Sequence, residues 1–253
     1  MPFDQSIRAQ AAPDSIASKM TLMTFDAVLF DCDGVLVDSE PITNGVLRDM
    51  LAEAGWELTP AECMRLFIGK AVKDERALIE ANTGQPLTAE WLQRFWARRN
   101  EGLVAGVQPI EGAVQAVASI HAKYAGRIAC ASGADRYKVE LQLEKCGLMP
   151  YFKGHIFSGH ELPRSKPFPD VYLAAAAALG VSANRCAVIE DSVIGARAGV
   201  AAGCAVLGYS PPTAGHSAPA ELLAAGAVCV FTDMAALPGL LASLTSPASP
   251  PHP

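Results

Sequence analysis

The chain has 253 residues, 51% of them hydrophobic and 18% charged, with 20 Lys and Arg against 26 Asp and Glu. At roughly 150 residues per domain, this predicts one domain plus a smaller insert, with ample apolar surface for a core, and excludes wholesale disorder. The net charge of −6 argues against non-specific nucleic-acid binding and against docking on an anionic membrane, while leaving room for a local site that takes a small anion.

Residues 1–23 show neither helical nor strand periodicity and read as a loose N-terminal tail. Asp4 and Asp14 interrupt them, so a secretory leader is not expected. Residues 27–30 (AVLF) form a short apolar run that ends on Asp31 and reads as a buried strand. From 41 to 104 the pattern is helical only. This stretch holds Trp56, Trp91 and Trp96 and 8 of the 20 basic residues, and is expected to form a helical insert over the C-terminal edge of the sheet. Further apolar runs follow at 127–131, 155–157, 186–189, 205–207 and 228–231, several ending in small or acidic residues. Helical patterns separate most of them, at 112–124, 136–146, 169–179 and 193–202, the last two stopped by Gly180 and Gly203. Short continuous apolar runs alternating with helices predict strands buried on both faces of a mostly parallel sheet, a doubly wound, Rossmann-like α/β core spanning 24–40 and 105–240. The end, 245–253, is proline-rich and reads as a second tail. The richest apolar stretch, 171–181, is far short of the ~20 residues of a membrane span. The seven cysteines form no C-x-x-C pair, and Cys32, Cys130, Cys186 and Cys229 lie in or beside the apolar runs. Reduced buried thiols in a cytoplasmic protein are expected.

Four motifs carry chemistry. Asp31-Cys-Asp33-Gly34 puts two carboxylates two residues apart at a strand end, where period-two alternation aims both to one side. Two acids so close stay ionised only if a cation or a shared proton relieves them. Ser132-Gly133, after the run at 127–131, offers a hydroxyl and free N–H groups to an anion. Lys166 is held in Ser-Lys-Pro-Phe-Pro-Asp170 with a stiff backbone and can reach an inward anion. Glu190-Asp191 ends the run at 186–189 and precedes a small-residue helix; such oxygens suit Mg²⁺. Each alone is equally a turn, a helix cap or a surface charge. Together they fall on one rim of one sheet, with a nucleophilic carboxylate, a proton-transfer carboxylate, a metal-binding pair, a hydroxyl and a lysine. That inventory suits phosphoryl transfer.

On these motifs, over about residues 24–235, the chain resembles the haloacid dehalogenase-like phosphohydrolases, in their β-phosphoglucomutase-like branch with a helical cap. The resemblance rests on Asp31-x-Asp33-Gly-Val-Leu-Val-Asp-Ser39 and on Glu190-Asp191-Ser192 followed by Gly195, Ala198 and Ala202-Gly203, with Gly199 where an alanine is usual. It implies Asp31 as a nucleophile forming an aspartyl-phosphate and Asp33 as general acid and then base. It further implies Mg²⁺ on Asp31, the Asp33 carbonyl and Asp191, with Glu190 ligating through water, and phosphate held by Ser132, Gly133 and Lys166. In the cap it implies a substrate loop at Phe67-Ile-Gly69-Lys70, with Lys70 offering a cation.

Among the branch's reactions, dehalogenation and phosphonoacetaldehyde hydrolysis do not fit an aspartate at position 33. A sugar phosphomutase is the alternative, but its subgroup's histidine and cap arginine fall here on Thr43 and Val72. The start through Glu40 and the Phe157-Ser-Gly159 turn are closer to sugar-phosphate and phosphogluconate phosphatases. The expectation is a Mg²⁺-dependent phosphatase acting on a small sugar phosphate or sugar-acid phosphate; the non-enzyme alternative, a phosphate-sensing relative, would be marked by loss of Asp31 or of the Glu190-Asp191 pair, and both are present. No nucleic-acid or membrane partner is expected; the oligomeric state is left open, with a slight preference for a monomer, because a dimer patch leaves no clear trace in the sequence.

Overall fold

The computed structural model describes residues 23–213 and 215–245. The two expected tails fall outside these residues except for Met23 and Thr245. A six-stranded parallel sheet forms the core, in the order β5-β4-β1-β6-β7-β8. Its strands are β1 (Ala27–Phe30), β4 (Ile128–Ser132), β5 (Ile156–Ser158), β6 (Cys186–Glu190), β7 (Ala205–Tyr209) and β8 (Cys229–Phe231). β1 lies between β4 and β6, with Leu29 opposite Ala129 on one side and Val188 on the other. The chain builds outward from β1 first through β4 and β5 and later through β6, β7 and β8. The strand order therefore reverses at β1, which is where open α/β sheets bind ligands.

Strand alternation divides the core. Val28 and Phe30 of β1 face one apolar cluster with α5 (Ala113–Lys123), α6 (Arg136–Lys145), α7 (Met149–Phe152) and α11 (Leu237–Thr245). Ala27 and Leu29 face the other, with α8 (Asp170–Ala178), α9 (Val193–Ala201) and α10 (Pro219–Ala224). The alanine-rich stretch expected as a helix is α8, whose Val171, Tyr172, Ala175 and Ala176 are buried against the sheet. Ser192 caps α9 by accepting the Gly195 N–H at 3.0 Å. Gly199 explains the departure from the usual alanine: a Cβ there would stand 2.7 Å from Val206 Cγ2 and 3.2 Å from Val188 Cγ1. Glycine lets α9 lie tight on β6 and β7.

A second, antiparallel pair was not foreseen: β2 (Val37–Asp38) pairs with β3 (Gln108–Pro109). Two residues per strand are too few to leave a periodic signal. Between them the described chain is helical: α1 (Glu40–Glu53), α2 (Pro60–Phe67), α3 (Arg76–Thr83) and α4 (Ala89–Gly106), with a 3₁₀ turn at Val72–Glu75. The helices thus begin one residue before, and end two residues after, the insert read at 41–104. A capping box between Thr59 and Glu62 starts α2, and Thr88 caps α4. This segment has its own apolar cluster around Leu47, Leu51, Phe67, Ile79 and Phe95, against which the three tryptophans pack.

Candidate active site

The site opens at the C-terminal ends of β1, β4 and β6, in a cavity of about 410 Å³ roofed by the helical segment. β1 ends at Phe30, one residue before the first acid. The Asp31 N–H still bonds to the Ile189 carbonyl, at 3.0 Å, but Asp33 has left the sheet. The period-two argument therefore does not place Asp33. A turn does: Gly34 takes φ +76° and its N–H bonds the Val37 carbonyl at 2.9 Å. Both acids nevertheless line the same cavity. Only glycine serves at position 34, because a Cβ would sit 2.2 Å from Asp191 Oδ2.

Lys166, reaching in from the loop beyond β5, donates to Asp31 Oδ1 at 2.8 Å and to Glu190 Oε1 at 2.6 Å. Tyr172 OH donates to the same Glu190 oxygen at 2.6 Å, while Glu190 Oε2 accepts from the Asp191 N–H and from the Ser192 N–H and hydroxyl. Glu190 is fully buried, and both its oxygens are engaged by protein. One oxygen from each of Asp31, Glu190 and Asp191 lies within 4.8 Å of the others. Burial pushes Asp31 up to about 7 against the pull of Lys166, with Glu190 and Asp33 adding repulsion. Asp191 is raised further by burial and by Glu190 and Asp31. Burial disfavours the Lys166 cation, but the two carboxylates outweigh it and raise its pKa. Three buried carboxylates facing one lysine leave negative charge uncompensated. The donor set, all hard oxygen, fits a divalent cation such as Mg²⁺.

Ser132, the last residue of β4 and almost fully buried, accepts the Ala134 N–H at 3.0 Å on its hydroxyl oxygen. Its own O–H proton is therefore left for another acceptor. Gly133 lines the cavity beside it. Gly69 has φ +68°, and a Cβ there would meet Ser192 Cβ at 3.7 Å, so the cap loop rests against the Glu190-Asp191-Ser192 turn. Lys70 lines the cavity with its Nζ 3.3 Å from Glu75 Oε2. The four core motifs thus meet in one place, and the cap loop closes over them.

The family model for haloacid dehalogenase-like hydrolases matches residues 25–203. The chain belongs to the haloacid dehalogenase-like hydrolase family. This hydrolase is 30% identical over 216 residues to 6-phosphogluconate phosphatase of Escherichia coli strain K12, covering 85% of the chain and 94% of that protein. Among solved structures, it resembles a haloacid dehalogenase-like protein of Agrobacterium tumefaciens, at 34% identity and a TM-score of 0.75, covering 88% of this chain and 100% of that one. It also resembles a family hydrolase of Deinococcus radiodurans solved with bound phosphate and sodium, at 37% identity and a TM-score of 0.71, covering 88% and 99%.

Several residues in and around the cavity of this hydrolase escaped the sequence. Asp33 Oδ1 receives Lys138 Nζ at 2.8 Å, Gln142 Nε2 at 2.9 Å and the Ser39 hydroxyl. Burial would raise the Asp33 pKa, but Lys138 and these hydrogen bonds hold it at about 2. Arg99 of α4, also buried, reaches Asp135 Oδ2 at 3.0 Å. Glu40 accepts the Asn44 amide at 2.7 Å, and burial pushes it up to about 7. His216 Nε2 lies 3.1 Å from the Gly34 carbonyl oxygen. The signal for Lys138 and Gln142 was their i, i+4 spacing, which puts both on one face of α6.

Proposed function

We propose that this hydrolase cleaves a small phosphomonoester, a sugar phosphate or sugar-acid phosphate, through an aspartyl-phosphate on Asp31. The observation that carries this is the buried Asp31–Lys166–Glu190–Asp191 cluster opening, with Asp33 and Ser132, on one cavity of about 410 Å³. A space of that size suits a small metabolite. The 6-phosphogluconate phosphatase named above acts on a phosphorylated sugar acid, which supports the same substrate class here.

The Ser132 hydroxyl, the Gly133 N–H and the Lys166 ammonium take the phosphate oxygens and turn the phosphorus toward Asp31. Lys166 occupies Asp31 Oδ1, so Oδ2 is the attacking oxygen. Asp33 is ionised before substrate binds, and the negative charge of a phosphate ester brought beside it favours uptake of a proton. As the new Asp31 O–P bond forms, the bond to the leaving oxygen breaks, and that oxygen takes this proton from Asp33 to depart as an alcohol. A water then attacks the phosphorus, and Asp33 accepts its proton. Phosphate is released and Asp31 is restored. Asp31, the Asp33 carbonyl and Asp191 would hold Mg²⁺. Both Glu190 oxygens are engaged by protein, which favours for it the outer role of fixing Lys166. Bound there, Mg²⁺ supplies charge that offsets the repulsion between a carboxylate and a phosphate.

The mutase alternative needs further cationic contacts in the cap. Val72 is instead buried within the helical segment's apolar cluster, which favours hydrolysis. The test is a panel of phosphorylated metabolites assayed with Mg²⁺. Phosphate release from sugar or sugar-acid phosphates is expected. Conversion of a sugar 1-phosphate to its 6-phosphate without release would overturn the proposal.

A further inference from the structure

Asp33 has two carboxylate oxygens, and the protein treats them differently. All three side-chain hydrogen bonds it receives, from Lys138, Gln142 and Ser39, converge on Oδ1. Among the described residues none reaches Oδ2, and Asp33 keeps 15% of its side-chain surface accessible, on the cavity. A carboxyl that must hand over one proton in one direction gains from this arrangement. The proton has a single free oxygen to occupy, and the carboxyl plane is fixed by three contacts on the other.

The donors are themselves held in place. Lys138 and Gln142 stand one turn apart on α6, and both are buried. The Lys138 backbone N–H donates to the Asp135 N-cap carboxylate at 2.9 Å, and Asp135 also receives Arg99 from the helical segment. The Gln142 amide is oriented from its other end, where Oε1 lies 3.7 Å from the Cys32 thiol, a contact that assigns Nε2 as the donor to Asp33. Lys138 thus has a built environment and belongs to no motif that the family resemblance carried.

We infer that Lys138 is a positioning residue for the reaction, which with Gln142 pins Asp33 through Oδ1 and leaves Oδ2 as the oxygen that gives its proton to the leaving group. The inference rests on the proposed phosphatase function. In the bond-breaking step the P–O electron pair goes to the leaving oxygen and the Oδ2 proton goes with it, while Oδ1 keeps its three contacts. Lys138 touches Asp33 and not the reacting atoms.

A leaving group that needs no proton separates this role from general support of the site. Wild type, Lys138→Met, Lys138→Arg and Gln142→Met are compared by kcat/KM on a sugar or alkyl phosphate and on p-nitrophenyl phosphate. An alkoxide must be protonated to leave, whereas p-nitrophenolate need not be. Lys138→Met is expected to lower kcat/KM for the alkyl ester by about a hundredfold and for the aryl ester by less than about tenfold. Lys138→Arg should restore most of the alkyl activity. Equal loss on both esters, or loss on neither, would overturn the inference. Should Lys138→Met fail to fold, Gln142→Met removes a donor from Oδ1 without changing charge, and it must show the same imbalance or the inference fails. Failure of the phosphatase proposal would appear differently, as absence of phosphate release by the wild type.

Discussion

At the scale of single residues, the site concentrates charge where water would normally dilute it. Asp31, Glu190 and Asp191 are buried together, with Lys166 bridging Asp31 and Glu190, so each substitution has consequences beyond its own bonds. Asp31→Asn removes the attacking oxygen but keeps a hydrogen-bonding side chain of the same shape. Turnover is expected to fall more than about a hundredfold while circular dichroism and Tm stay near wild type. Gly34→Ala acts on a neighbour instead. Its Cβ would meet Asp191 Oδ2 at 2.2 Å, in a backbone conformation that alanine disfavours, so Asp191 must move. The expected result is loss of the Mg²⁺-induced rise in Tm, read by thermal shift with and without the ion. Asp31, Asp33, Ser132, Lys166 and the Glu190-Asp191 pair were legible in the sequence because each sits in a short local motif. Ser39, Lys138 and Gln142 were not assigned roles. The latter two lie over 100 positions from Asp33, and nothing in their neighbourhood marks the acid they face.

Elements show where local pattern suffices and where it stops. The strands were readable because burial on both faces writes continuous apolar runs. Their ends shifted by a residue or two because hydrogen bonding, not hydrophobicity, decides where a strand stops. The β2–β3 pair was invisible for lack of length, and the Asp33 turn was misread as strand for lack of any signal but its glycine. α9 gives a test at this scale. Gly199→Ala adds helix propensity worth about 1 kcal/mol, yet forces a methyl to within 2.7 Å of Val206 and 3.2 Å of Val188. The packing strain, typically 1–3 kcal/mol, is expected to win, lowering urea-unfolding stability by about 1 kcal/mol. The cap loop gives another. Lys70→Ala leaves Asp31 and Lys166 untouched and should raise KM for an anionic sugar substrate several-fold with little change in kcat.

For the molecule as a whole, the acidic composition takes on a specific meaning. The carboxylates at the rim make the metal-free fold sensitive to pH in a predictable sense. Asp31 titrates at about 7 in the fold, above its ordinary value near 4, and Asp191 is shifted the same way. Through that window the folded state holds more protons than the unfolded chain, so metal-free stability falls as pH rises. Asp33, held at about 2, works in the opposite sense only below the ordinary value. Melting in EDTA should therefore show a lower Tm at about pH 7 than at about pH 5, and saturating Mg²⁺ should reduce or reverse the difference. No helix among the described residues is long and apolar enough to cross a membrane.

The ladder formed by Val37–Asp38 and Gln108–Pro109 brings the two ends of the helical segment side by side. The sheet therefore sees some seventy residues as it would see a single surface loop, and the chemistry beneath has no covalent stake in what that loop contains. The core acids, Ser132 and Lys166 come from outside the segment, while Gly69, Lys70, Trp96 and Arg99 come from inside it. On the proposed function, the segment is expected to contribute mainly to selectivity and the core to reactivity. A chimera that exchanges the segment at this ladder is expected to change which molecules are cleaved while leaving the cleavage chemistry as it was.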